Sequence, residues 1–577
     1  MGRRPMPEVM SVPQASAGQQ QAGFGSSMLA SLVLVVVALA THSVSLLADR
    51  VLDNVDLRTH FQWAAQVHQA MGDGVWYPRW MPLANGGLGE PSFVIMHPGW
   101  YWLVAGLQTL GLDTWWAMRV AAFASTLVLG LAVHAVLRPR MPAGLALASA
   151  VLVQTMPFAG FLFGFHAALP WHFSLAAMGL VMLCSVVDDG HRPGPGLAAA
   201  VAWLCLTHLL VTFMTLVCIG AIRVLEAVVR GRSAPLLRWL GAVALGLACA
   251  TVYWLMAATS KPLFVPGAPG DELYLNWRNS FIWPVVTSRL FGTRWAVVQW
   301  ALPLAPVAAM LVGAWLLRCT PPALRDASWT AAVRLVAVAG LALLLASELA
   351  YPAYASLGFL ANVQWPYRFL TVASLAALLA LAFAMAPHWL PGRRRGLFVA
   401  WASAAALSVL LAAGLLVKQY REGTETGMSA ATLAGLFGQP GALPAGVGPD
   451  WRDYLRDGGL ATECRRAGWQ CSQGHNGAQE ADFQLTGSTP ARLRLPRFDF
   501  PSWRVELDGH PVVAQRDLAT GLIAIELLPG NHRVAVRWSP LWQERLGLPV
   551  SFVALLALLA WAVWRVRAGA VVTRSVV

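Results

Sequence analysis

Nearly charge-free stretches about the length of a bilayer-spanning helix recur along almost all of this chain, and no other feature limits its fold so strongly. In helical form roughly 20 apolar residues match the hydrocarbon thickness of a membrane. Only a helix or a closed barrel satisfies its own backbone polar groups there. Helical spans are predicted at about 27–48, 97–111, 114–137, 142–163, 168–187, 196–222, 236–258, 296–317, 330–350, 367–387, 396–417 and 548–565. Of the 577 residues, 57% are hydrophobic and 12% charged, about half the charge of a soluble protein. A single water-soluble core cannot absorb that composition, and neither disorder nor a disulfide-stapled mini-fold fits it.

The net charge is +13. On a soluble chain this would raise nucleic acid as a partner; here no nucleic acid is expected, because the basic residues cluster in short loops as positive-inside anchors. Arg223, Arg230, Arg232 and Arg238 form one cluster, Arg318, Arg325 and Arg334 a second, Arg393 to Arg395 a third, and Arg565, Arg567 and Arg574 a fourth. They alternate so as to place 259–295, 351–366 and 418–547 outside. Arg3 and Arg4 precede the first run, which has no cleavage site, so both termini are expected in the cytoplasm. The first half fits less well. Arg138 and Arg140 fall outside if every run crosses, and inside if 97–111 does not fully cross and 196–222 breaks near Thr207–His208. The expected count is therefore 11–13 spans.

The expected organisation is a cytoplasmic tail (1–26), a transmembrane domain (27–417) with a first outer loop at 49–96, an extracytoplasmic linker (418–481), a small β-domain (482–547), and a last helix with its tail (548–577). The β-domain is read from period-two alternation, as in Leu522-Ile523-Ala524-Ile525-Glu526-Leu527, with hairpin signals at Asp508-Gly509 and Pro529-Gly530-Asn531. Cys464 and Cys471 lie in the polar segment, where an oxidising compartment would allow a disulfide; sequence leaves their pairing open. The other five cysteines sit in or beside apolar runs, as packing residues.

Acid, imidazole, guanidinium and aromatic groups concentrate in the first outer loop. Asp56 and His60 stand at i and i+4, on one face of an amphipathic helix. A carboxylate there suits a general base, and a divalent cation would be compatible with it; no other cofactor is called for, and no zinc spacing or phosphate-binding loop occurs. Arg79 suits a phosphate, and Glu90 would be a second acid. The plainer reading makes Asp56 a helix N-cap and the aromatics an interfacial belt. Asp271 and Glu272, in a later outer loop, are further candidates for acceptor or cation contacts.

The order D-x-x-x-H (Asp56, His60), G-x-x-Y-P-R-W (Gly74 to Trp80), G-x-G-x-P (Gly87 to Pro91) and P-x-x-Y (Pro98 to Tyr101) resembles the first loop of a bacterial membrane-protein family often labelled "6-pyruvoyl-tetrahydropterin synthase-related", which is similar to GT-C glycosyltransferases. Val363-Gln364-Trp365-Pro366-Tyr367-Arg368-Phe369-Leu370 resembles its QFPWRFL signature, Thr207-His208 its mid-chain histidine, and Phe500-Pro501-Ser502-Trp503 with Asp508-Gly509 and Pro529-Gly530-Asn531-His532 its C-terminal β-domain pattern. His97-Pro98-Gly99 stands where a Y-P-P-like sequence is usual. The resemblance implies a mainly α, GT-C-like polytopic membrane protein with a small extracytoplasmic β-sandwich-like domain before the last helix. It implies an enzyme of the bacterial inner membrane that moves a sugar from a polyprenyl-phosphate donor to an envelope glycan, lipid or protein. Asp56 and His60 would be catalytic, and Arg79, Glu90, His97, Gln364 and Arg368 would bind substrate. The alternatives are a transporter or flippase of lipid-linked glycans, and a non-catalytic assembly protein.

Overall fold

The computed structural model describes residues 17–47, 56–162, 168–187, 194–264, 276–287, 296–388 and 443–574, with scattered positions between 396 and 414. Asp271, Glu272 and most of the expected span at 396–417 lie outside the described residues. The membrane part is helical: α1 (Ala17–Leu47), α2 (Leu57–Gly72), α3 (Gly99–Thr109), α4 (Thr114–Leu137), α5 (Ala143–Gln154), α6 (Leu169–Val186), α7 (Pro195–Thr207), α8 (Leu209–Arg230), α9 (Ala234–Cys249), α10 (Thr251–Thr259), α11 (Leu304–Cys319), α12 (Ala327–Ala346) and α13 (Leu370–Met385). Eight helices among the described residues are long and apolar enough to cross a membrane, or nine if α9 and α10, bent by 83° at their junction, count as one.

Two of the expected runs differ from simple crossings. The run at 97–111 is a helix of 11 residues, about 16 Å long, too short to cross. The run at 196–222 breaks at His208, whose φ of −164° and ψ of 98° are extended rather than helical. Pro195–Thr207 is apolar but short, at 13 residues, and Ser27–Ser43 is the apolar stretch within the 31-residue α1.

At the centre runs α13, all of whose residues but Leu378 are buried. Alanine at six of its 16 positions lets α11 and α12 approach closely. Arg140, following α4, and Arg325, preceding α12, line the same cavity. The two basic clusters therefore share one face of the bundle, as they would with 97–111 not crossing.

The polar segment is ordered earlier than expected. In place of a linker up to 481 there are α14 (Trp451–Arg456), α15 (Gly459–Ala467) and a strand β1 (Trp469–Asn476). The remaining strands are β2 (Glu480–Gly487), β3 (Ala491–Phe498), β4 (Trp503–Leu507), β5 (His510–Val512), β6 (Gln515–Arg516), β7 (Leu522–Leu527) and β8 (Gly530–Trp538). They form two antiparallel sheets, ordered β1-β2-β8-β4-β5 and β3-β7-β6, whose apolar faces make one core. Asp508-Gly509 turns β4 into β5 with φ values of 53° and 81°, the left-handed pair a two-residue hairpin requires. A disulfide joins Cys464 of α15 to Cys471 of β1.

This domain is seated on the first loop. Phe498 N donates to Leu88 O at 3.1 Å. The fully buried Trp80 packs edge-on against Trp503 at 5.2 Å. The last helix, α16 (Trp542–Arg574), then returns along α9 and α10.

Candidate functional site

Asp56 is the N-cap residue of α2, yet its side chain makes no capping hydrogen bond to that helix. The plain N-cap reading holds for its position and not for its carboxylate. Asp56 lies within Coulombic reach of Arg368, Tyr101 and Tyr367. Two segments far apart in sequence thus place an acid and a guanidinium in one electrostatic neighbourhood. His60, one turn along, is buried and shares a 2.6 Å hydrogen bond between Nδ1 and the Tyr101 hydroxyl. That bond ties α2 to α3 beneath Asp56.

Arg368 sits in the 3-10 turn Pro366–Phe369 that starts α13. Tyr367 N donates to Ser280 O at 3.1 Å and fixes the turn. The Arg368 guanidinium lies 4.2 Å from the Trp365 ring and 5.5 Å from that of Trp171. Its Nη1 donates to Val363 O at 3.1 Å, with a long 3.5 Å contact to Gln364 Oε1. Its Nε is buried with no hydrogen-bond partner among the described residues. Gln364 itself is held at a φ of +63°, a left-handed conformation uncommon for a non-glycine residue. An aromatic-flanked guanidinium with an unused donor is suited to an anion.

His97 completes the group. Its ring stacks on that of His208 at 4.8 Å and meets Tyr253 edge-on at 6.4 Å. Burial, with the nearby His60, pushes the His97 ring down to about 3, so it is neutral at ordinary pH. His208 sits where α7 and α8 part, 5.5 Å from Trp171. Its Nδ1 accepts from Val211 N at 3.3 Å. An accepting Nδ1 carries no proton, so the hydrogen is on Nε2. Nε2 bonds to no described residue and remains a donor.

The other two predicted residues are turned to protein partners. Arg79 donates Nε to Glu544 at 2.9 Å, Nη1 to Phe93 O at 3.2 Å and Nη2 to Val252 O at 3.1 Å. It joins the first loop to α10 and α16. Glu90 Oε1 accepts from Trp63 Nε1 and Ser92 Oγ, each at 2.5 Å. It joins α2 to the loop that returns to α3. Among the described residues no group of three or more His, Cys, Asp or Glu is placed to hold a metal.

Sequence reasoning left His208, Tyr101, Trp171 and Trp365 outside the candidate set. His208 carried two signals, its likeness to the mid-chain histidine of the family it resembles and its place inside an apolar run, where an ionisable group is a functional hypothesis by default. The signal for Trp171 was only its neighbour Pro170.

No family model and no curated protein matches the chain. Solved structures similar to it include the arabinofuranosyltransferase AftD from Mycobacteria, with a TM-score of 0.43 and 14% identity, covering 68% of this chain and 26% of that one. The Archaeoglobus fulgidus oligosaccharyltransferase in the apo form has a TM-score of 0.34 and 13% identity, covering 76% and 58%. ArnT from Cupriavidus metallidurans in the apo state has a TM-score of 0.36 and 14% identity, covering 72% and 77%. The chain thus spans about a quarter of the length of AftD. At these identities and scores the likeness is one of shape and carries no chemistry across.

Proposed function

We propose that the chain is a membrane glycosyltransferase that moves a sugar from a polyprenyl-phosphate donor to an extracytoplasmic envelope acceptor, in a bacterial inner membrane with both termini cytoplasmic. One observation carries the reading: Asp56 lies within Coulombic reach of Arg368, together with Tyr101 and Tyr367. In this reading the acceptor hydroxyl attacks the anomeric carbon while the bond from that carbon to the phosphate oxygen breaks. Asp56 takes the hydroxyl proton. Arg368 and the Nε2–H of His208 meet the charge that develops on the departing phosphate. Direct displacement inverts the sugar configuration. His60 and Tyr101 hold the acid's helix in place, and Arg79 and Glu90 hold the loop.

The test uses the full chain in liposomes with a polyprenyl-phosphate sugar. Asp56→Asn is expected to lower transfer by roughly 10²- to 10⁴-fold while leaving the melting temperature unchanged. Undiminished transfer by that variant overturns the reading. Movement of the lipid-linked sugar across the bilayer without bond formation would make the protein a transporter instead.

A further inference from the structure

The turn that carries Arg368 leans on a strap with little regular structure of its own. Residues 280–287 form no helix, and their one strand-like contact is an isolated bridge between Ile282 and Ser347. Ser280, Phe281 and Ile282 are nonetheless fully buried. Irregular backbone buried inside a membrane protein needs partners for its N–H and C=O groups. Two side chains from outside the strap supply several of them. Gln299 Nε2 donates to Asn279 O at 3.2 Å and to Phe281 O at 3.0 Å. The Glu348 carboxylate, just past the end of α12, accepts from the consecutive N–H groups of Val285, Val286 and Thr287. Backbone contacts add to this grip: Ile282 N donates to Ala346 O, and Trp283 N to Gln299 O, each at 3.0 Å. So held, Trp283 keeps a φ of +48°, a strained value that persists only where the surroundings impose it.

Gln299 is 1% exposed and sits in a π-helical turn, Val297–Ala301, just before α11; wide turns of this kind recur at functional sites. Its amide grips the carbonyls on either side of Ser280. The Ser280 carbonyl is the one that accepts from Tyr367 N at 3.1 Å, and Arg368 is the next residue. We propose that Gln299 is a positioning residue for Arg368, acting through Ser280 and Tyr367, and that Glu348 anchors the far end of the same strap. The inference rests on the reading of Arg368 as the partner of the donor's phosphate. A guanidinium holds a phosphate through paired donors in a fixed fork, so a tilt of the turn that carries it weakens binding.

The test is the affinity of the purified full chain for undecaprenyl phosphate. Arg368→Gln is expected to weaken it roughly tenfold. Gln299→Met, which keeps the side chain's bulk and removes its donors, should weaken it by about as much. The double variant should bind no more weakly than Arg368→Gln alone. Losses that multiply would show that Gln299 acts apart from Arg368 and overturn the proposal. Glu348→Ala, at a half-exposed position, carries the same test where Gln299→Met is too unstable to purify; a loss of roughly threefold, again absent in the Arg368→Gln background, is expected. Full affinity in both strap variants beside a loss in Arg368→Gln overturns the proposal and leaves the role of Arg368 standing. Full affinity in Arg368→Gln overturns that role, and the proposal with it.

Discussion

His208 combines two jobs that can be separated experimentally. Its Nδ1 caps α8, and its Nε2 is left over as a donor beside Arg368. Asparagine at this position preserves the capping acceptor and removes the far donor. His208→Asn is therefore expected to melt like the wild-type protein while losing about 10²-fold or more of transfer. His208→Gln, whose amide reaches further, should recover part of that loss; equal activity of all three proteins would exclude His208 from the reaction. A second histidine can be followed by pH. In the β-domain, His532 Nδ1 meets Asp508 Oδ2 at 2.7 Å and Nε2 meets Leu528 O at 2.9 Å. Both partners are acceptors, so only the imidazolium satisfies both. The hydrogen bond to Asp508 raises His532 above 6.5, and the bond from His532 lowers Asp508 below 3.8. A raised imidazole stabilises most below its unfolded value and loses that contribution as pH climbs through its folded one. A lowered carboxyl stabilises above its unfolded value and loses it as pH falls. The pair thus contributes most between about 3.8 and 6.5. Melting curves of Asp508→Asn and wild type should converge as pH rises past that window; a pH-independent gap would exclude the linkage. Asp56 and His60 were legible in sequence because helical spacing alone puts them on one face. Arg79 was legible only as a cation at a membrane surface. Nothing local announces that its partner is Glu544, since that pairing is created by the fold.

Among the elements, the loop between α2 and α3 shows how a sequence rule becomes a geometric one. Gly89 has a φ of +83°, and a Cβ there would sit 2.1 Å from the Trp80 ring nitrogen. The glycine is needed twice, for the left-handed turn and for the indole on which the β-domain rests. Gly89→Ala is expected to cost about 1–3 kcal/mol, read as a lowered Tm, with the loss of Trp80 burial visible in tryptophan fluorescence. An unshifted Tm would mean the indole can move aside. The hairpins of the β-domain were legible because their turns need particular residues. Strand β1 was not, because Trp469–Asn476 is an edge strand with mostly exposed or half-buried polar side chains and shows no alternation. The short helix α3 looked like a span by hydropathy, which measures composition, while the basic residues after α4 already left open that 97–111 does not fully cross.

Across the whole molecule, Arg79 is one point at which the first loop is joined to the membrane helices α10 and α16. Its guanidinium is 5% exposed and Glu544 15%. Removing one partner leaves a buried charge uncompensated, which costs roughly 3–5 kcal/mol. Arg79→Ala and Glu544→Gln should each lower the Tm markedly without changing the pH profile of whatever transfer remains. A negligible shift in both would remove this pair from the framework.

The same pair also says something about how the polypeptide is made. Its members are separated by 465 positions. During synthesis a cation placed early waits beside the membrane until the helix that carries Glu544 has left the ribosome and been inserted. A nascent product stopped short of that helix carries a buried cation without its carboxylate, and the loop that Arg79 anchors is left without that tie.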